Sequence, residues 1–280
     1  MILIDGKAVA KKIRENLKDR VQDLKNKGIK PKLAVIMVGN DKASSIYVKN
    51  KSKACNELGI EFEEFFKDDS ISQKELIDLI KELNDRKDVH GILLQSPIPN
   101  NLDIREAFNT IDYRKDVDGF NPINVGKLSI GEDSFISCTP YGVIKLLEEY
   151  NIEVQGKNAV VIGRSNIVGK PLVQCLLNKD ATVTICHSKT ENIKEITKNA
   201  DILIAALGKP KFITADMVKE GAVVIDVGIN RCEDGKLVGD VDFNNVSEKA
   251  SYITPVPGGV GPMTIAMLMN NVVKAASMNN

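Results

Sequence analysis

Apolar positions recur along the chain in two rhythms. Val9, Ile13, Leu17, Val21 and Leu24 stand at near-helical spacing behind Asp5, a residue suited to an N-cap, and predict a helix through about Lys27. Leu33 to Val38 is an unbroken apolar run, as expected of a buried strand. Asp41 to Leu58 then reads as a helix, Phe62 to Phe66 as an aromatic-rich strand, Gln73 to Leu83 as a helix and Gly91 to Leu94 as a short strand. Strands alternating with helices predict a parallel α/β sheet.

A second alternation starts near Thr139. It holds a helix over Val143 to Tyr150, the stretch Ala159 to Pro171, and strands near Thr182, Ile202 and Val223, with Gly221 to Gly228 the clearest buried run. Between the two alternations, Gly119 to Cys138 carries Pro122, Gly126 and Gly131 but few periodic apolar positions, which marks a boundary. The expected class is α/β with two domains and an active-site cleft between them. One comprises residues 1–120 with a C-terminal helix of about 264–280 packed back on it; the other, residues 139–262, has a mostly parallel sheet.

Ala159 to Pro171 reads AVVIGRSNIVGKP, a strand, a tight loop and a helix start. Such a helix points backbone N–H groups and the positive end of its dipole at the loop, which suits a phosphate. The loop departs from GxGxxG: Gly163 and Gly169 are present, but Ser165 stands in place of the second glycine. An ordinary strand-to-helix turn is the alternative reading. The next strand, Val183 to Cys186, ends without the acid that would bind the ribose hydroxyls of NAD. His187, Ser188, Lys189 and Thr190 follow instead, and Arg164 lies in the first loop, a donor set that favours the 2′-phosphate of NADP. The alternative leaves Arg164 and Lys189 as solvated surface charges.

Composition narrows the classes. Lys+Arg and Asp+Glu are equal at 38 each, without the basic excess of a general nucleic-acid binder. No apolar run reaches membrane-spanning length, and Met1 to Gly6 lacks a signal pattern. Five scattered cysteines without CxxC spacing (Cys55, Cys138, Cys175, Cys186, Cys232) read as small buried hydrophobes of a reducing cytosol. With two histidines, His90 and His187, no metal centre is expected.

Four further stretches could carry chemistry. Tyr47 and Lys51 are one turn apart on the second helix, and a lysine partly desolvated beside an aromatic ring can serve as acid or base. A solvated lysine with its stem on a tyrosine is the alternative. Gln95 ends the strand Gly91 to Leu94, where open sheets bind ligands, and its amide oxygen could hold a lysine. Asp118, in Lys115-Asp116-Val117-Asp118-Gly119-Phe120, could accept two N–H bonds from an amino-pyrimidine edge, or be a turn aspartate before glycine. Pro255 to Pro262, dense in Gly and Pro before a helix, suits a specified backbone with a cis proline, or a plain linker.

Together these stretches resemble the bifunctional methylenetetrahydrofolate dehydrogenase/cyclohydrolase family over essentially the whole chain. The matching motifs are YVKNKSKA, the Gln95 turn, KDVDGF, CTPYG, GRSNIVGKP, CHSKT, DVGIN and TPVPGGVGPMT, in the family's order. The resemblance implies a substrate domain followed by a Rossmann-like NADP domain. It makes Lys51 the catalytic lysine, Tyr47 its neighbour stacking on folate, Gln95 its hydrogen-bonding partner and Asp118 the anchor of the pterin. It assigns NADP to Gly163, Arg164, Ser165, Ser188 and Ile229, and folate also to Pro257, Gly258 and Gly259. It further implies a cytoplasmic homodimer acting in one-carbon metabolism on a folate, with no nucleic acid, membrane or metal. Ser96 and Tyr141 depart from the family's usual residues. A shikimate-type dehydrogenase and a nucleotide sensor without turnover are the competing classes.

Overall fold

The computed structural model describes residues 1–232 and 235–278. In chain order the elements are β1 (Ile2–Leu3), α1 (Gly6–Asn26), β2 (Lys32–Val38), α2 (Lys42–Leu58), β3 (Glu61–Lys67), α3 (Gln73–Asp85), β4 (Gly91–Leu94), α4 (Ile104–Thr110), α5 (Pro122–Ser129) and α6 (Cys138–Glu149). There follow β5 (Asn158–Ile162), α7 (Gly169–Leu177), β6 (Thr182–Cys186), α8 (Ile193–Thr197), β7 (Ile202–Ala205), β8 (Val223–Asp226), β9 (Asn230–Arg231), β10 (Leu237–Val238), α9 (Phe243–Val246), β11 (Tyr252–Ile253) and α10 (Val260–Met278). The chain divides into two compact units. One comprises 1–11 and 137–264, the other 12–136 and 265–280.

The unit of 12–136 and 265–280 carries a three-stranded parallel sheet in the order β3-β2-β4. Its central strand β2 is buried along nearly its whole length, as its unbroken apolar run requires. α2 starts on Asp41, whose carboxylate accepts from the Ser44 N–H at 2.7 Å, and ends on Gly59 in the left-handed conformation (φ 71°). α3 opens with a reciprocal cap between Ser72 and Glu75 and packs Leu76, Ile80 and Leu83 onto the sheet's core. α5 falls in the expected boundary, started by Asn121 and Pro122, so the chain stays ordered through 136.

The other unit carries six strands in the order β1-β11-β8-β7-β5-β6, all parallel, plus the antiparallel hairpin β9–β10. β5 leads out to β6 on one side and, through α8, to β7 on the other. The strand order therefore reverses between β5 and β7, the point where doubly wound sheets bind ligands at their carboxyl ends. β7 and β8 are buried throughout, as is β5 beyond its first residue.

The division differs from the expected 1–120 and 139–262 at the chain's start. Residues 1–11 belong with 137–264 because β1 pairs with β11, Ile2 opposite Tyr252 and Leu3 opposite Ile253. Gly6 then lies so close to the Gly259 carbonyl that a Cβ there would collide with it. Val256–Pro257 is cis, as the Gly/Pro-dense stretch suggested, and so is Ser96–Pro97. Four cysteines are buried and free; Cys232 is free but half-buried, unlike the small buried hydrophobe expected of it. Among the described residues no helix is long and apolar enough to cross a membrane, and no cluster of His, Cys, Asp and Glu could hold a metal.

Candidate functional site

The first group of candidate residues lies wholly within the unit of 12–136 and 265–280. β2 feeds α2, which carries Tyr47, half-exposed at 46%, and the half-buried Lys51 one turn on. β4 lies beside β2 and delivers Gln95 directly after its last residue, with the Gln95 N–H donating to the Ile36 carbonyl at 2.9 Å. Lys51 Nζ donates to Gln95 Oε1 at 2.9 Å. The Gln95 amide is fixed from its other end, because its Nε2 donates to the Ser96 carbonyl at 2.6 Å. A carbonyl can only accept, so the amide oxygen must face the lysine. Ser96 makes this bond through its backbone, so its departure from the family's usual residue leaves the bond intact.

Asp118 belongs to a loop that starts beside this sheet: Asp116 forms a parallel bridge with Ile92 in β4, and the Gly119 N–H closes a turn over Asp118 on the Asp116 carbonyl at 3.1 Å. The loop is set by its interior neighbours. Lys115, almost fully buried, donates from Nζ to the carbonyls of Leu83, Asn84 and Arg86, closing the C-terminal end of α3. Burial moves the Lys115 ammonium below the ordinary lysine range. The Asp116 carboxylate accepts from the Asn121 N–H at 2.8 Å and Asn124 Nδ2 at 2.9 Å, and Asn271 Nδ2 donates to the Val117 carbonyl at 2.8 Å. The sequence presented two acids around Val117; the structure buries the first and leaves Asp118 half-exposed.

Burial pushes the Asp116 carboxyl up from 3.8 to about 6. The folded chain thus keeps this proton to higher pH than the unfolded chain, and stability falls as pH rises from about 4 to about 6. The difference corresponds to roughly 3 kcal/mol. Asp116→Asn removes the titration. Denaturant midpoints at pH 4 and pH 7 should show the variant gaining on the wild type by about that amount; a pH-independent difference would contradict it.

The second group lies wholly within the unit of 1–11 and 137–264. β5 runs into Gly163, whose φ of 126° excludes other residues without strain and whose absent Cβ leaves room for the Ala206 carbonyl. Gly169 similarly admits the Gly163 carbonyl. The Ser137 hydroxyl donates to the Ile167 carbonyl at 2.6 Å and pins the loop's far side. Ser165 has a local task the sequence did not show. Its Oγ accepts from the N–H groups of Val168 at 3.2 Å and Gly169 at 3.4 Å, at the start of α7. Those two N–H groups, expected to face a phosphate, are turned to the serine. The hydroxyl proton is not used in these bonds and can be donated outward.

Arg164 is exposed next to this turn, and Ser188 and Lys189 are exposed at the carboxyl end of the adjacent strand β6. The turn after β6 is closed by the Thr190 side chain, which accepts from the His187 N–H at 2.9 Å. A phosphate would find a guanidinium, two hydroxyls and an ammonium on these two loops, so the residues fit a phosphorylated dinucleotide. Ile229 follows β8 and is 48% exposed. Pro257 is exposed, while Gly258 and Gly259 are buried, Gly258 beside the Lys7 stem. Tyr141 lies under the Lys145 ammonium, 5.4 Å from its ring centre.

A buried acid pair at the ends of β8 and β10 went unnoticed in the sequence. Asp226 closes the apolar run of β8, and Asp240 follows β10; each is 3% exposed or less. Desolvation pushes the Asp226 carboxyl up to about 6. The one available signal was an acid ending an otherwise apolar strand.

The family model for the tetrahydrofolate dehydrogenase/cyclohydrolase catalytic domain matches residues 4–118, and that for the NAD(P)-binding domain of the same enzymes matches 137–280. The bifunctional protein FolD of Campylobacter concisus is 59% identical over 276 residues, 99% of this chain and 98% of its own. The crystal structure of the bifunctional FolD methylenetetrahydrofolate dehydrogenase/cyclohydrolase of Campylobacter jejuni is 54% identical, with a TM-score of 0.98 and 99% of each chain covered. The Trypanosoma brucei enzyme, solved with NADP cofactor and inhibitor, is 38% identical with a TM-score of 0.94, covering 99% of this chain and 97% of its own. With both halves matched and a relative of this identity along its length, the chain belongs to the tetrahydrofolate dehydrogenase/cyclohydrolase family.

Proposed function

We propose that this chain oxidises 5,10-methylenetetrahydrofolate to 5,10-methenyltetrahydrofolate with NADP+, and hydrolyses that cation to 10-formyltetrahydrofolate. The observation that carries the reading is the Lys51–Gln95 hydrogen bond of 2.9 Å, inside the segment matched by the family's catalytic domain.

NADP+ supplies the hydride acceptor. The chain's own part in that step is to hold two rigid partners in register and to tolerate a cationic carbon. Arg164, Ser165 and Ser188 would hold the dinucleotide's phosphates, with Gly163 letting it approach the backbone and Ile229 beside the nicotinamide. Tyr47 would stack on the folate, Asp118 would accept the N–H pair of its pterin, and Pro257, Gly258 and Gly259 would line its path. In the second step water adds to the methenyl carbon, one C–N bond opens, and a proton is released. Lys51 would move protons between that water and the folate nitrogens, oriented by Gln95. The cytoplasmic homodimer belongs to this reading on the family resemblance alone.

NADPH formation with 5,10-methylenetetrahydrofolate against shikimate separates this reading from the shikimate-type class: turnover of the folate supports it, and turnover of shikimate alone removes it. Arg164→Ala tests the 2′-phosphate. The Michaelis constant for NADP+ is expected to rise by roughly 10-fold, the loss of one charge-assisted contact, and that for NAD+ much less. Equal changes would contradict the assignment.

A further inference from the structure

The two buried acids at the ends of β8 and β10 have no part in the chemistry above, yet they gather the loops at the carboxyl edge of their sheet. The Asp240 carboxylate takes four donors. Oδ2 accepts from the N–H groups of Leu207 at 2.6 Å and Gly208 at 3.0 Å, and Oδ1 from Lys209 N–H at 2.8 Å and Asn230 Nδ2 at 2.9 Å. The Asp226 carboxylate takes three, Oδ1 from Gly228 and Asp240 N–H groups at 2.9 Å each and Oδ2 from Val241 N–H at 2.9 Å. The Asp226 N–H donates to Thr254 Oγ at 2.7 Å. Gly228 and Gly239 have no Cβ where one would strike the Asp240 and Asp226 carboxylates respectively.

The turn after β7 and the turn after β8 are therefore tied to one buried carboxylate centre, and the segment leading to Pro255 is joined to the Asp226 backbone through Thr254. Two consequences bear on the cofactor. Ile229 stands between Gly228, held by Asp226, and Asn230, held by Asp240, so its exposed side chain is aimed from both sides. Ala206, just ahead of the anchored Leu207, carries the carbonyl that fits against Gly163. The anchor thus reaches both sides of the point between β5 and β7 where the strand order reverses.

We infer that Asp240, braced by Asp226, is a positioning residue for hydride transfer: it fixes the backbone against which the nicotinamide end of NADP lies. The inference rests on the function proposed above. It separates two tasks within one cofactor site. Arg164, Ser165 and Ser188 retain the phosphates, and Asp240 sets the distance and angle of the reacting ring. A carboxylate suits this because each oxygen receives two N–H donors, which no neutral side chain of that size can match.

The test is Asp240→Asn, with Asn230→Ala as a milder variant should the first fold poorly. Both are assayed at a temperature where circular dichroism shows the folded state. An asparagine turns an NH2 group either towards the Leu207 and Gly208 N–H groups or towards the Lys209 N–H and the Asn230 amide, so in both orientations the 207–209 turn loses acceptors and must shift. Dehydrogenase kcat is expected to fall by about 100-fold, the usual cost of a displacement near 1 Å, with the Michaelis constant for NADP+ changing less than about 3-fold. Hydrolysis of methenyltetrahydrofolate, which uses no NADP, should stay at the wild-type rate. The deuterium isotope effect with methylene-labelled substrate should rise, because misplacement slows hydride transfer itself. A lowered Tm with unchanged dehydrogenase kcat and isotope effect would overturn the inference, as would a parallel loss of hydrolysis in both variants. A wild-type chain without hydride transfer would remove the proposed function, and this inference with it.

Discussion

Lys51→Met is expected to abolish hydrolysis of methenyltetrahydrofolate while leaving NADP+ binding intact. Methionine keeps the length of the side chain and removes its proton-carrying nitrogen. A positioned acid–base group contributes about 10²- to 10⁴-fold, and a loss in that range is expected for the hydrolytic kcat. The fold should survive. Lys51 is half-buried beside the end of a three-stranded sheet, and its Nζ donates to Gln95 Oε1. Leaving that oxygen unpaired in a residue 8% exposed costs about 1 kcal/mol, so the Tm should fall by a few degrees at most. NADP+ binding, read by fluorescence titration, should be unchanged, because the dinucleotide loops lie in residues 137–264. Hydrolysis at the wild-type rate would take the role from Lys51.

Gly163→Ala is expected to produce the complementary defect. At φ 126° an alanine is strained, and its Cβ would fall 2.1 Å from the Ala206 carbonyl oxygen, well inside contact distance. Neither atom is the end of a flexible side chain, so the turn after β5 and the turn after β7 must separate. A backbone displacement of this kind costs about 100-fold in a positioned reaction, and dehydrogenase kcat/KM for NADP+ should fall at least that far. Hydrolysis of added methenyltetrahydrofolate should be retained. A variant with near-normal dehydrogenase activity would show that the dinucleotide does not use this turn.

How far the sequence could be read depended on whether a residue's task was local. The strand at Leu33 to Val38, the helix at Asp41 to Leu58 and the turn at Gly163 each announce themselves in a short window, through an apolar run, a cap or a glycine. Tyr47, Lys51 and Gln95 could be singled out as candidates because helical spacing and the end of a strand are local facts. β1 was not, since two residues have no period, and so its pairing with β11, which joins residues 1–11 to the sheet of 137–264, could not be foreseen. Ser165 looked like a gap in a glycine pattern. Only the folded turn shows its hydroxyl on the Val168 and Gly169 N–H groups. Asp226 and Asp240 were beyond reach for another reason. Their donors come from three separate segments, 207–209, 228–230 and 240–241, and nothing in any one of them foretells a shared carboxylate centre.

Two successive reactions of one chain on one folate should be visible in a single progress curve of purified wild-type protein with 5,10-methylenetetrahydrofolate and NADP+, recording NADPH, methenyltetrahydrofolate and 10-formyltetrahydrofolate together. One NADPH should form per folate consumed, and the methenyl signal should decay into 10-formyltetrahydrofolate faster than it does without protein. NADPH accompanied by a methenyl product that decays only at its uncatalysed rate, or no NADPH at all, would contradict the two-step assignment.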